Sequence, residues 1–536
     1  MYVISSSNSK ADNYAIRPEL AEMYKLYTYG LDENRPDIVA KRAKTKQRTA
    51  RANVNELCDP DSFVEYGALA VAAQRGRRSE EDLRTRTPAD GLITGIGSVN
   101  GSQFGPDKAR CVILAYDYSV LAGTQGYFNH RKKDRMLRIA HEECLPLILF
   151  AEGGGGRPGD VDADGPTGLM VAGLDCTTFA MFGSYSGKAP IVGIVSGRCF
   201  AGNAALLGCC DVIIATKNAN IGMGGPVMIE GGGIGVFSPE EIGPVDVQTK
   251  SGVIDILVED DAEAVATAKK YLSYFQGKTE NWEVPDQKKL RKLIPENRRR
   301  VYDMRLVIKT LADVDSFLEL KKDFGLEMIT GFIRIEGQPF GVIANNCKHQ
   351  AGAIEAEGAD KAARLMQICN AHGLPILSLI DTPGFMVGPD IETRGQVRHV
   401  CRMFVNGAHV TVPYLSVVTR RGYGLGAMAM AKGGFTQSPI TAWPTGEFGG
   451  MGLEGFVKKG YEKQLNAIED PVEKQALFDE LLNQQIQRGK AVNMAAYLEV
   501  DSVIDPADTR KWIIRSLEST MAKPKPAAKH SFVDTW

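Results

Sequence analysis

At 536 residues the chain is longer than one hydrophobic core usually spans, about 250–300 residues, so two domains with extensions are expected. Its 63 Lys and Arg against 65 Asp and Glu leave a formal net charge of −2 with no long block of one sign, which argues against nucleic acid as the main partner. Ten cysteines without C-x-x-C spacing support neither a disulfide framework nor a zinc ribbon, and no run approaches the roughly 18 apolar residues of a membrane span.

In chain order, residues 1–15 are polar and lack the apolar stretch of a secretory signal, which predicts a cytoplasmic protein. Residues 17–85 read as polar helix and loop, with the basic stretch 41–48 as a solvated helix face, so 1–89 is expected to be an N-terminal helical extension. Core structure is expected from Asp90. Apolar, β-prone runs at 109–116, 145–150, 190–195 and 211–215 alternate with helical stretches, and 341–344, 374–380 and 414–418 do the same in the second half. Strands apolar on both faces and separated by helices predict an α/β architecture. Between the halves, 277–300 holds Lys278, Lys288, Lys289, Arg291, Lys292 and Arg298 to Arg300, broken by Pro285 and Pro295, and reads as a linker. The domains expected are thus 90–276 and 301–521, followed by a Pro/Lys-rich flexible tail at 522–536.

The two halves repeat one pattern. Ile93-Thr94-Gly95 recurs as Ile329-Thr330-Gly331, Leu145-Pro146 as Leu374-Pro375, and the run 196–204 as 419–427, at offsets of 236, 229 and 223. Constant order with slowly drifting spacing is the mark of two copies of one fold, each with a Gly-rich turn at the same place.

Glycine is abundant, 57 residues in all, and clusters at the ends of the expected strands at 153–156, 222–225, 231–233 and 422–426. It lets backbone approach a ligand closely. A P-loop is excluded, because the glycines at 154–159 are followed by Asp160 rather than Lys. A dinucleotide fingerprint is met only by Gly422, Gly424 and Ala427, with no counterpart in the first half. A pair of oxyanion sites, built from free N–H groups after each strand, uses both copies. Side chains offer little rival chemistry: the seven histidines form no metal-ligand pattern and there is no G-x-S-x-G element. Asp160 and Asp390 read as helix caps before catalysts.

At these residues the sequence resembles the carboxyltransferase (β) subunit of biotin-dependent acyl-CoA carboxylases, the group of the propionyl-CoA, acetyl-CoA and methylcrotonyl-CoA enzymes. The likeness runs from about Asp59 to Glu518. It is strongest at 358–364 (Gly-Ala-Asp-Lys-Ala-Ala-Arg), 381–385 (Asp-Thr-Pro-Gly-Phe) with Gly388, Arg398-His399, Val412-Pro413, Thr419-Arg420 before Tyr423-Gly424, and 442–444 (Ala-Trp-Pro). The first half agrees less closely, at 90–95, 154–157, Cys199 with Ala201-Gly202, and 251–255.

The resemblance implies a tandem duplication of a crotonase-like α/β domain, acyl-CoA on the N-domain and carboxybiotin on the C-domain, and a homohexamer whose sites pair the N-domain of one chain with the C-domain of another. It implies transfer of CO₂ from carboxybiotin, held by a partner protein, to the α-carbon of an acyl-CoA through an enolate. The thioester donor pair falls at Gly202 and Asn203 and the biotin pair at Leu425 and Gly426. Substrate contacts fall at Gly154, Gly155, Gly156, Arg157, Ala201, Gly384, Phe385, Tyr423 and Gly424. Biotin carboxylase and biotin carboxyl carrier subunits are the expected partners, since no Ala-Met-Lys-Met biotinylation sequence is present. No metal, nucleic acid or membrane is expected. A biotin-dependent decarboxylase subunit and a non-catalytic assembly subunit of the same fold are the alternatives. Three departures fall in the acyl-CoA half: Asn203 where relatives have a second Gly, Gln248 where they have His, and 153–160 in place of a Ser-Gly-Gly-Ala-Arg stretch.

Overall fold

A computed structural model describes residues 16–157, 159, 160, 162, 174–521 and 532–536. The polar segment 1–15 and most of the expected tail, 522–531, lie outside the described residues. The chain divides into two units after Gln276, with Phe532–Thr535 belonging to the first and Trp536 to the second.

The first unit is built on a seven-stranded sheet in the order β1-β2-β3-β4-β6-β8-β10. Its strands are β1 (Val64–Glu65), β2 (Leu92–Ser98), β3 (Arg110–Tyr116), β4 (Leu147–Phe150), β6 (Ile191–Val195), β8 (Val212–Thr216) and β10 (Ile256–Val258). β1, β2 and β3 pair antiparallel, and from β3 onward every pairing is parallel. A small parallel sheet of β5 (Gly153–Gly154), β7 (Arg198–Phe200) and β9 (Asn220–Gly222) stands apart. The second unit repeats the scheme as β11-β12-β13-β14-β15-β16-β18: β11 (Leu318–Leu320), β12 (Met328–Ile335), β13 (Gln338–Asn345), β14 (Ile376–Thr382), β15 (Tyr414–Tyr423), β16 (Ile440–Ala442) and β18 (Ser502–Val503), with β17 (Glu447–Gly449) on β15. Again the first three strands are antiparallel and the rest parallel.

The duplication extends to single atoms. Gly95 faces Glu65 and Gly331 faces Glu319 across the edge pairing. A Cβ there would lie 2.3 Å from the Val64 carbonyl or 2.2 Å from that of Leu318, so only glycine fits in either copy. The carbonyls of Pro146 and Pro375 each accept the first N–H bond of the following parallel pairing, from Val112 at 2.8 Å and Gly341 at 2.9 Å. The crossover helices Tyr127–Glu143 and Ala356–His372 each bury a lysine against backbone carbonyls near the start of the second strand. Lys132 Nζ donates to Ala89 and Leu92, and Lys361 Nζ to Lys321, Phe324 and Met328. Each ammonium is thereby hydrogen-bonded without leaving the core.

The expected strands lie where the apolar runs placed them, and β2 and β12, which carry the Ile-Thr-Gly repeat, are added to them. Four expectations need correction. Within 1–89, helices at Pro18–Thr28, Pro36–Lys44, Ala50–Leu57 and Glu80–Arg86 are joined by the edge strand β1, because an antiparallel hairpin needs only a short edge to close the sheet. Arg42, inside the basic stretch read as solvated, is buried against Glu152, with two N–H···O bonds of 2.7 and 2.8 Å. The segment 277–300 contributes Leu290 and Ile294 to the second unit's core, so its charges cover packed structure. At the far end of the expected tail, Val533 is buried, and its N–H and carbonyl both bond to the Ser186 hydroxyl.

Candidate active site

In the first unit β7 runs into Ala201, whose backbone (φ +52°, ψ −124°) turns the chain into the helix Gly202–Gly208. A positive φ is costly for alanine. It is held on one side by the Ala201 N–H bond to Gly222 O at 3.1 Å and on the other by β5, where Gly154 pairs with Phe200. The N–H groups of Gly202 and Asn203 sit in the first turn, where no intrahelical acceptor exists, and among the described residues neither meets another. Gly155 (φ +41°) lies beside the Ala201 methyl, and a Cβ on Gly202 would come 2.9 Å from Gln125 Oε1. Gly154, Gly155, Gly156, Ala201, Gly202 and Asn203 are therefore brought together around one bend.

The Asn203 side chain points into the protein and is fully buried. Its Nδ2 donates to the carbonyls of Gly123 (2.9 Å) and Glu152 (2.8 Å), and its Oδ1 accepts from Gln125 Nε2 (2.6 Å). Gln125 Nε2 also donates to Tyr116 Oη (3.1 Å), which accepts from the buried Lys133 Nζ (2.7 Å). Burial pushes Lys133 down to about 7. Where a second glycine would leave the bend unbraced from below, Asn203 ties it to two loops without reaching the ligand side.

The second unit places its turn on the same plan. β15 ends at Tyr423, and Gly424 (φ +56°) opens the helix Gly424–Met430. Gly424 has no room for a side chain, since a Cβ would approach Gly450 O to 2.9 Å. A Cβ on Gly426 would lie 2.6 Å from the Gly384 carbonyl carbon, so the 384–385 backbone packs directly on the helix. That loop is fixed by the Gly384 N–H bond to Thr382 Oγ1 (3.1 Å) and the Ile354 N–H bond to Gly384 O (3.0 Å). Again Leu425 and Gly426 carry first-turn N–H groups with no acceptor among the described residues. The Leu425 side chain is exposed, so only its backbone belongs to the turn.

Two expected substrate contacts have other duties. Arg157 is a buried cation whose guanidinium pairs with Asp90 and donates to the Thr124 carbonyl at 2.9 Å. The Tyr423 ring is buried and its hydroxyl bonds to Glu447 and Arg298, so it anchors the turn from behind. Sequence reasoning missed Gln125, which faces Gly202 from 78 positions upstream of Asn203, a separation no local pattern signals. The 381–385 and 419–420 motifs gave no sign that they meet: Asp381 is buried between Arg420 (2.9 Å) and Arg421 (2.7 Å). Burial opposes that carboxylate's charge, but the two guanidiniums outweigh it and hold Asp381 below the usual range. Gln248 donates to Ile221 O at 2.6 Å and packs under Gly243. Among the described residues no group of three His, Cys, Asp or Glu could hold a metal ion.

Residues 41–533 match the sequence profile described as the carboxyl transferase domain. The chain is 31% identical over 528 residues to the methylmalonyl-CoA carboxyltransferase 12S subunit of Propionibacterium freudenreichii subsp. shermanii, covering 96% of each chain. A solved transcarboxylase 12S, described as a hexamer with methylmalonyl-coenzyme A bound, superposes at a TM-score of 0.81 with 28% identity, over 97% of this chain and 99% of that one. A single-chain, multi-domain long-chain acyl-CoA carboxylase superposes at a TM-score of 0.88 with 54% identity over 94% of this chain. This chain spans about half of that enzyme, 49% of its length.

Proposed function

The chain belongs to the carboxyl transferase family and is the carboxyltransferase of a biotin-dependent acyl-CoA carboxylase, and from that premise we propose which of its turns serves which substrate. The bend at Ala201–Asn203 holds the thioester oxygen of acyl-CoA through the N–H groups of Gly202 and Asn203. The bend at Gly424–Gly426 holds the ureido oxygen of carboxybiotin through those of Leu425 and Gly426. The observation that supports this reading is the duplicated bend itself: two first-turn N–H pairs without acceptors among the described residues, each in a cradle that a Cβ would fill.

Carboxybiotin supplies the carboxyl group: its N–C bond breaks, a C–C bond forms at the acyl α-carbon, and the α-proton passes to the ureido nitrogen. The N–H pairs lower the cost of negative charge on the thioester oxygen and on the ureido oxygen, a type of donor worth about 2.7–4 kcal/mol each when removed. This assignment asks no side chain to act as base. The inward direction of Asn203 leaves the thioester side of the first bend open, which favours a working site over an assembly subunit that has lost one. Biotin carboxylase and carrier functions are proposed to come from partner chains, and a hexamer is proposed from the likeness to the transcarboxylase 12S. The 54% identity to the long-chain enzyme favours an acyl-CoA with an extended tail as substrate.

Purified protein mixed with free biotin and a malonyl-CoA-type donor tests the reading, since this reverse transfer needs no ATP. Biotin-dependent loss of the donor's carboxyl group is expected. A panel of donors that bind without losing it would refute the assignment.

A further inference from the structure

Gln125 is 4% exposed and packs its side-chain amide against Gly202. Its main chain is fixed on both sides, with its N–H bonded to Gly155 O at 2.8 Å and its carbonyl accepting from the Arg157 N–H at 2.9 Å. Hydrogen bonding also decides which way the amide faces. Asn203 Nδ2 lies between the carbonyls of Gly123 and Glu152, which can only accept, so the Asn203 oxygen is the atom turned to Gln125. That oxygen requires Nε2 of Gln125, at 2.6 Å, and Nε2 also donates to Tyr116 Oη at 3.1 Å. Both donors of the amide nitrogen are thereby used. Oε1 is left on the Gly202 side, 2.9 Å from where a Cβ would stand, and accepts from no donor among the described residues. A helical Cα–Cβ bond tilts toward the N-terminus, so this oxygen lies on the side to which the first-turn N–H groups of Gly202 and Asn203 point. A buried carbonyl oxygen without a donor is costly, and a native fold keeps one where water or a ligand completes it.

We propose that Gln125 Oε1 accepts a hydrogen bond from the amide N–H of coenzyme A nearest the sulfur, and so recognises the thioester as one of coenzyme A. The inference rests on the functional reading above, which puts the thioester oxygen on the N–H groups of Gly202 and Asn203. The contact lies wholly within the first unit. On the acyl side of that thioester a substrate carries only C–H groups, and a transferred carboxylate is repelled by a carbonyl oxygen. On the sulfur side the first polar hydrogen is the cysteamine amide N–H, an ethylene link away. The bend thus offers a donor pair and then an acceptor to a ligand that presents an acceptor and then a donor.

The test uses the full-length protein and whichever 2-alkylmalonyl-CoA transfers its carboxyl group best to free biotin. That donor is compared with the same thioester of a coenzyme A analogue in which an ester oxygen replaces the cysteamine N–H, with dissociation constants read by calorimetry without biotin. The exchange deletes the hydrogen and sets oxygen against Oε1, so the analogue should bind about tenfold more weakly or worse. In Gln125→Met and Gln125→Leu, which have no oxygen to accept, the two ligands should bind within about twofold of each other. A bracing role alone would weaken both ligands alike and leave their ratio where it was. Equal affinity in the unmodified protein overturns the contact, whether or not the variants fold, and leaves the functional reading intact. A tenfold ratio that persists in the variants gives the N–H to another acceptor and also overturns it. Failure of every donor to transfer sinks the functional reading and this contact with it.

Discussion

Asn203 stands where the family resemblance implies a second glycine, and its buried bonds give a quantitative expectation. Asn203→Ala removes three buried hydrogen bonds, to Gly123 O, to Glu152 O and from Gln125. At about 1 kcal/mol net for each neutral bond, the loss is about 3 kcal/mol, and the carbonyls left without a donor make this a lower figure. For a unit of this size that is a fall of about 6–12 °C in the thermal midpoint. The backbone N–H at 203 survives the change, but the bend loses its tie to the two loops. A displacement of about 1 Å costs up to 100-fold in rate, so kcat for reverse transfer should drop about 10- to 100-fold with the KM for biotin unchanged. Asn203→Asp separates bracing from bulk. It keeps the acceptor for Gln125 but sets a carboxylate oxygen against two carbonyls, and should be less stable than the alanine variant. Thermal unfolding and donor-to-biotin kinetics on the three proteins decide the matter. An alanine variant with the parent's midpoint and turnover, or an aspartate variant as stable as the parent, would refute the bracing role.

Gly426→Ala forces a Cβ to within 2.6 Å of the Gly384 carbonyl carbon; transfer should fall by about 10²–10³, the usual loss for one oxyanion donor, while calorimetric acyl-CoA binding stays at the parent's value. Asp381→Asn leaves Arg420 and Arg421 without their counter-charge, and breaking a buried pair in this way costs about 3–5 kcal/mol, to be read as a lower denaturant midpoint. Lys133 has a folded pKa of about 7 against about 10.4 when unfolded. Between those values the unfolded chain holds a proton that the folded chain releases, so folding stability rises with pH by up to about 1.4 kcal/mol per unit and falls as pH drops toward 7. Lys133→Met removes that slope, so the parent's stability minus the variant's, measured by denaturation, should rise from pH 7 to pH 9.5; a constant difference would count against a deprotonating amine.

How much of this was legible in the sequence depended on whether the cause was local. The parallel strands were, because a strand buried on both faces is a continuous apolar run, as β3 and β14 are. β2 and β12 were not, since Gly95 and Gly331 interrupt the β-prone pattern for a reason that lies across the sheet, in the edge strand's carbonyls. The two bends were legible because glycine and repetition mark them. Their supports were not: Gln125 lies 78 residues from Asn203 and Arg298 lies 125 from Tyr423. Arg157 illustrates the same limit from the other side, since the resemblance implies a substrate contact for this arginine after four glycines, and only the fold reveals Asp90 beside it.

The two copies of the bend have kept one backbone plan and lost a common means of support. In the first unit the turn stands on side chains, an amide relay from Lys133 through Tyr116 and Gln125 to Asn203. In the second it stands on backbone, with Gly426 against Gly384 and Gly424 against Gly450. Support by side chains tolerates glycine-to-alanine change poorly only where Gln125 faces Gly202, but it fails when one polar partner is deleted. Support by backbone contact fails at the first added methyl, even with the Tyr423 hydroxyl anchored on Glu447 and Arg298 behind the turn. The first bend should therefore be sensitive to polar substitutions far along the chain, and the second to the smallest change in its own glycines. The duplication supplied two turns on one plan, and under the proposed assignment the different bracing lets one vary with its acyl substrate while the other stays fitted to a constant ring.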